Sequence, residues 1–306
     1  GDTIYLQAGY YQLSGSCAIK KSNLIIAGAG IGKTIVLTDN ESGFYVDGYN
    51  YVTIQDLTVE GSAQRDRTRY LCPVYFANCD YAILKNVEVY HAGYYGVNVF
   101  QVNHSLFENL SLHDNYVHGI HPGSNTAGRN HYNTYRNIDC YNNYIGFSDR
   151  GNGEASLLVP LESSHNIYEN INTWNNGSNG ILIAYQKDIV ISDCTAKDNS
   201  SAGIFLKAIG NADISNCFVS GNSRNSDSAG IYFMSATSDH PTYKNSNISL
   251  TNVVAKNNVG EDGVSIKNGA DDITFSSCQF YDDQSKKTQD YGLRLSGLDI
   301  SNIALI

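Results

Sequence analysis

The sequence predicts an all-β solenoid, a single domain of about ten coils over residues 1–306. Three observations predict it. Glycines followed by alternating apolar residues recur at intervals of 23 to 34 residues. A second series of short alternating segments lies between them. No segment carries the apolar spacing of an amphipathic helix.

The elements follow in chain order. After Gly1, "DTIYLQAG" reads as a strand. "AGAGIGKT", Ala27 to Thr34, matches a relaxed phosphate-loop pattern, but "IVLTDN" follows where such a loop needs a helix. These glycines are therefore read as a tight coil turn. The glycine series then runs "GVNVF" at Gly96, "GIHPG" at Gly119, "GFSDR" at Gly146, "GILIA" at Gly180, "GIFLK" at Gly203, "GIYFM" at Gly230, "GVSIK" at Gly263 and "GLRLS" at Gly292. Segments such as "KNVEVYHAG", "ENLSLHDN", "RNIDCYNN" and "TNVVAKNN" form the second series. Each ends in Asn, Asp or Gly, as a short strand entering a turn does. Asn143, Asn176, Asn199, Asn222 and Asn258 recur at one turn, where Asn tolerates left-handed backbone and bonds its neighbours along the stack. The final "DISNIALI" reads as a strand without a cap, so both ends are expected to be trimmed from a longer chain.

Composition limits the function classes. A net charge of −10 with only 20 Lys and Arg argues against nucleic acid as a partner. No apolar run approaches the length that spans a bilayer, so no membrane partner is expected, and the chain is expected to be a monomer. The seven cysteines lack CxxC spacing, which disfavours zinc. Cys140, Cys194, Cys217 and Cys278 fall on inward positions of the second series, while Cys72 and Cys79 bracket "PVYFAN" at a spacing open to a disulfide. The acidic pairs Glu261–Asp262, Asp271–Asp272 and Asp282–Asp283 are read as solvated turn residues. No cofactor and no metal site are expected.

The alternation defines an outer face. Two residues after each glycine come Asn98, His121, Ser148, Leu182, Phe205, Tyr232, Ser265 and Arg294. Four after come Phe100, Gly123, Arg150, Ala184, Lys207, Met234, Lys267 and Ser296. His121 and Arg150 should therefore be near neighbours, with Lys207 and Lys267 extending a basic stripe beside Phe205 and Tyr232. Cations grip carboxylates and rings stack on sugar faces, so the face suits an acidic polysaccharide. The stretch "YVHGIHPGSNTAGRNHY" breaks the repeat: Pro122 takes an inward position and removes a ladder donor, and an insertion follows. The next coil also departs, with Asp149 inward and "ASLLVPLESSHN" inserted. Functional residues are expected at these two irregular coils: His118, His121, Arg129, His131, Asp149, Arg150 and Glu154.

The opening "GDTIYLQAGYYQLSG" and "NLIIAGAGIGKTIVL", with the repeat, resembles right-handed parallel β-helix proteins of the pectate-lyase-like superfamily, including mannuronan C5-epimerases. The resemblance implies a single right-handed parallel β-helix acting on polysaccharide, and a secreted or otherwise extracellular or periplasmic location. It makes calcium a possible cofactor, although no loop pattern here supports one. The epimerases carry a Tyr-Gly-Phe-Asp-Pro-His type motif. Here the run is His118-Gly119-Ile120-His121-Pro122-Gly123, which keeps the Gly and Pro and changes the other types. Tyr95-Gly96 offers the Tyr-Gly pair instead, followed by Asn98-Val99-Phe100.

The leading expectation is proton abstraction at C5 of a uronate, ending in β-elimination. His121 or His118 serves as base, Arg150 with Arg129 neutralises the carboxylate, and Tyr132 or Tyr116 protonates the leaving oxygen. His131, Glu154, Lys207, Phe205 and Tyr232 are expected to contact the polymer. Two other readings stay open. A glycoside hydrolase would use Asp149 and Glu154 as its carboxyl pair. A phage or cell-surface adhesin would bind polysaccharide without chemistry.

Overall fold

The computed structural model describes residues 1–39, 43–63, 72–123, 130–151, 163–224, 228–235, 244–260 and 262–306. Among them there are twenty-eight strands and no helix. Parallel pairings join the strands into one continuous sheet wound about ten times. Each coil lays its strands on those of the coils before and after it. The all-β solenoid expected from the repeat is the architecture observed, with its strands paired in parallel.

Alternation sets the core. Val97, Ile120, Phe147, Ile181, Ile204, Ile231 and Val264 face one another across successive coils. All are at most 1% exposed. On another wall Leu84, Phe107, Tyr135, Tyr168 and Ile191 stack in the same way, with ring centroids 5.1 Å apart for Phe107–Tyr135 and 5.6 Å for Tyr135–Tyr168. Each such side chain contributes roughly 1.5–3 kcal/mol on removal from water. A solenoid repeats this contribution coil after coil.

The recurring glycine is explained by close approach rather than by unusual backbone. A Cβ on Gly119 would lie 2.7 Å from the carbonyl oxygen of Gly146 and 3.1 Å from Asn143 Nδ2. The same contacts recur at Gly146 with Gly180 and Asn176. Only glycine lets the Asn ladder lie against the next strand. In that ladder each buried amide oxygen accepts the backbone N–H of the Asn one coil earlier, from Asn115 through Asn143, Asn176, Asn199, Asn222 and Asn258. These Asn do not adopt the left-handed backbone expected of them. The residue before each does: Asn142, Asn175, Asp198, Gly221 and Asn257 have φ between 54° and 66°. The turn thus divides the two properties of Asn between neighbouring residues.

The cysteines are free thiols, so Cys72 and Cys79 remain unbridged. Cys140, Cys194 and Cys217 are buried at 1% exposure or less, and Cys278 packs partly buried against the same core. Thr34–Thr38 is a strand, so the phosphate-loop-like glycines close a coil turn. Asp262, expected in solvent, is fully buried and pairs with Arg294 at 3.1 Å. It faces Tyr291 inside a regular strand, which the sequence pair Glu261–Asp262 does not reveal.

Candidate functional site

The outer face has the register that alternation gives. Asn98 faces His121, Ser148 faces Leu182, Leu182 faces Phe205, Phe205 faces Tyr232, Tyr232 faces Ser265, and Ser265 faces Arg294. Ile120 faces Phe147, which sets His121 beside Ser148. The residue before each glycine also turns to this side. Tyr95 stacks on His118 at 4.7 Å and lies 4.4 Å from the His121 ring, while Ile145 packs with Leu182 and Ala184.

Pro122 organises the centre. Two residues earlier in the strand, at the rung of Ile120, Phe147 and Ile181 donate their N–H to the glycine carbonyl of the next coil. Continuing this parallel ladder, residue 122 would donate to the carbonyl of Ser148. Proline has no N–H, although its own carbonyl still accepts from Arg150 N at 3.3 Å. The Ser148 carbonyl is met instead by His121 Nδ1, at 3.1 Å. A carbonyl only accepts, so Nδ1 of His121 carries the proton. His118 Nδ1, 3.2 Å from it, then presents its lone pair.

Burial comes first, then the charge of Arg150, in holding His121 down to about 3. Burial, His121 and Arg150 hold His118 well below the usual histidine range. Both rings are neutral at neutral pH. With Nδ1 protonated, the lone pair of His121 sits on Nε2. A Cβ on Gly123 would lie 3.9 Å from that atom, so the neighbouring strand position leaves room beside it. Burial and the Tyr94 hydroxyl, 3.2 Å away, raise Tyr95 and keep its phenol protonated. Asn98 Oδ1 and Ser148 Oγ, on the rungs either side of His121, are buried and have no hydrogen-bond partner among the described residues. Beyond Arg150 a cavity of about 320 Å³ opens, floored by Ile145, Leu182 and Ala184 and edged by Arg150, Lys207 and Asn179.

A family model for the right handed beta helix region matches residues 72–248, which contain all of this centre. The chain belongs to that family. Within the β-helix family, mannuronan C5-epimerase AlgE1 of Azotobacter vinelandii is 26% identical over 240 residues, covering 68% of this chain and 16% of its own length. AlgE2 of the same organism is also 26% identical, and 22% of its length is covered. The chain therefore spans less than a quarter of either relative. Among solved structures, the A-module of A. vinelandii mannuronan C-5 epimerase AlgE4 superposes with a TM-score of 0.72 at 16% identity, over 98% of this chain and 90% of that one. The catalytic unit of a GH87 alpha-1,3-glucanase from Streptomyces thermodiastaticus gives 0.60 at 14% identity, over 98% and 62%.

The β-helix places the sequence candidates unequally. His118, His121 and Arg150 come together on the outer face. Lys207, Phe205 and Tyr232 lie further along it, with Phe205 and Tyr232 stacked at 5.3 Å. Asp149 is elsewhere: its carboxylate is fully buried inside the coil. It accepts from Asn130 at 3.0 Å, Gln186 at 2.8 Å, Gly151 N at 3.1 Å and Tyr168 at 2.8 Å. It cannot reach a substrate on the outer face.

Tyr132 is also elsewhere. It is half exposed on the turn after the His118–Gly123 strand, between His104 at 4.9 Å and His165 at 4.6 Å in a ladder of rings. His131 faces the same turn, with Nδ1 2.8 Å from Ser164 Oγ. Tyr116 lines a separate cavity of about 480 Å³ with His91, Asp114 and Tyr144. Arg129 and Glu154 lie outside the described residues. Sequence reasoning missed Tyr95 in this role. The available signal was positional: Tyr95, His118 and Ile145 each precede a glycine of the series.

Replacing Pro122 with alanine restores the ladder N–H, which then competes with His121 Nδ1 for the Ser148 carbonyl. Turnover should fall about tenfold, the equivalent of one hydrogen bond of ~1.4 kcal/mol. KM and the unfolding midpoint should change little. Steady-state kinetics with thermal unfolding checks both.

Proposed function

We propose that this chain is a carbohydrate-active enzyme that acts on a uronate-containing polysaccharide by abstracting the C5 proton and eliminating across C4–C5. The supporting observation is the pairing of an unprotonated, half-buried His121 Nε2 with the fixed charge of Arg150 on one face. Arg150 neutralises the sugar carboxylate and stabilises the enolate as it forms. His121 Nε2 takes the C5 proton, and the electrons of that bond become the C4–C5 double bond. The C4–O bond breaks with its pair passing to oxygen, and the Tyr95 hydroxyl protonates that oxygen. A phenol raised by burial is matched to a basic alkoxide leaving group. His118 supports His121 by accepting at Nδ1.

The curated relatives are C5-epimerases by name, and epimerisation shares the first step. It differs in returning a proton to C5 instead of breaking C4–O. The carboxyl-pair hydrolase reading loses Asp149 to the interior. A polysaccharide substrate fits a secreted or periplasmic setting.

The test is incubation with alginate, polygalacturonate and glycosaminoglycans while ultraviolet absorbance of unsaturated uronate is followed. Rising absorbance is expected. Reducing ends without that absorbance mean hydrolysis, inverted C5 without chain cleavage means epimerisation, and retention without product means an adhesin. Each of these three overturns the proposal.

A further inference from the structure

Beyond the reacting centre, the outer face carries its charge with a period. Arg150 follows Asp149, which faces Ile183, so the next rung after Arg150 is Ala184. Ala184 faces Lys207, Lys207 faces Met234, Met234 faces Lys267, and Lys267 faces Ser296. Cations thus stand on every second coil, with alanine, methionine and serine between. Coils stack about 4.8 Å apart, so neighbouring cations are about 10 Å apart along the groove. That interval is close to two sugar residues of an extended chain.

The opposite flank is different. Its positions, the residues before each glycine, run Ile145, Asn179, Ala202, Ala229 and Asp262, with no cation. Ile145 and Asn179 share the 320 Å³ cavity with Arg150 and Lys207, so the two flanks border one groove. Among the described residues Lys207 and Lys267 meet no carboxylate. Each ammonium instead lies over a ring, Tyr185 at 5.2 Å and Tyr232 at 5.7 Å.

We infer that the groove selects an alternating acidic heteropolysaccharide, with a uronate at every second sugar and a neutral sugar between. This rests on the proposed function in taking the outer face as the substrate groove. In an extended chain with a two-residue repeat, successive sugars present their substituents to opposite sides. A homopolyuronate then directs half of its carboxylates at Ile145, Asn179 and Ala202, where no cation meets them and desolvation is uncompensated. An alternating polymer puts every carboxylate on the side of Arg150, Lys207 and Lys267. Its neutral sugars then pack on Leu182, Ala184 and Met234.

Binding is measured by calorimetry on His121→Ala, which separates recognition from chemistry. The probes are hyaluronan, which alternates a uronate with a neutral sugar, and polygalacturonate of similar length. Hyaluronan is expected to bind about tenfold more tightly at low salt. Lys207→Ala combined with Lys267→Ala should remove most of that difference. Asn179→Lys, which places a cation on the bare flank, should improve polygalacturonate binding selectively. Equal or tighter binding of polygalacturonate by the parent, or no loss in the double lysine variant, overturns the inference. If the preference holds and neither polymer is turned over by the intact protein, the elimination chemistry fails and the recognition stands. If polygalacturonate alone is turned over, the elimination chemistry stands and the selectivity for an alternating polymer fails.

Discussion

His121→Ala should lower turnover by about 10²–10⁴-fold, the usual contribution of a positioned general base. The His121 ring packs against Tyr95 and His118 and its Nδ1 meets the Ser148 carbonyl, so the unfolding midpoint is measured beside turnover, and substrate binding through Arg150 and Lys207 should persist. Wild type should also show an unusual pH profile. In the proposed reaction His121 acts as a neutral base, and its folded value near 3 keeps it neutral through the mildly acidic range. The acid limb of kcat/KM should therefore not fall near pH 6.5, where an ordinary histidine is lost.

Arg150 is the second cause of that depression, after burial. Arg150→Leu should raise the His121 value, moving the acid limb to higher pH while also weakening substrate binding. The same shift acts on stability. Between pH 6.5 and about 3 the unfolded chain binds a proton that the folded chain refuses at His121, so stability falls as pH falls through that window. A pH–rate series paired with unfolding midpoints reads both effects.

Asp149→Leu should be the most destabilising single change. The leucine strands four buried donors: Asn130, Gln186, Tyr168 and the Gly151 amide. At ~1–3 kcal/mol for each donor left without a partner, the loss is at least about 4 kcal/mol. Asp149→Asn should be mild, because its amide oxygen still accepts and the Tyr168 hydroxyl rotates to accept from the new NH₂. Burial raises the Asp149 carboxyl from 3.8 to about 6 against the pull of its four donors. The folded chain thus binds this proton more tightly, and the stabilisation it brings is present below pH 3.8 and lost as pH rises through about 6. Asp149→Asn should abolish that component. Thermal unfolding across pH 4 to 7 for the three proteins separates these outcomes.

The outer ladder from Asn98 to Arg294 was legible in the sequence because insertions enter at turns and leave each strand in phase with its glycine. The core was legible for the same reason. Alternation fails at the turns themselves. Tyr95 precedes its glycine and by counting points inward, yet the bend swings its ring over His118 and His121. Tyr132 looked close to the centre in sequence, but positive φ at the turn carries it into the ladder of rings with His104 and His165. Pro122 was recognisable as a break in the ladder. What the break does depends on the next coil, whose Ser148 carbonyl takes up His121 Nδ1.

The protonation state of His121 is the most exposed point of this account, and nitrogen NMR of ¹⁵N-histidine-labelled protein reads it directly. The His121 signals are assigned by their disappearance in His121→Gln. At pH 6 the ring should be neutral, with the proton on Nδ1 and the lone pair on Nε2. A cationic ring, or a proton on Nε2, would contradict the proposed base.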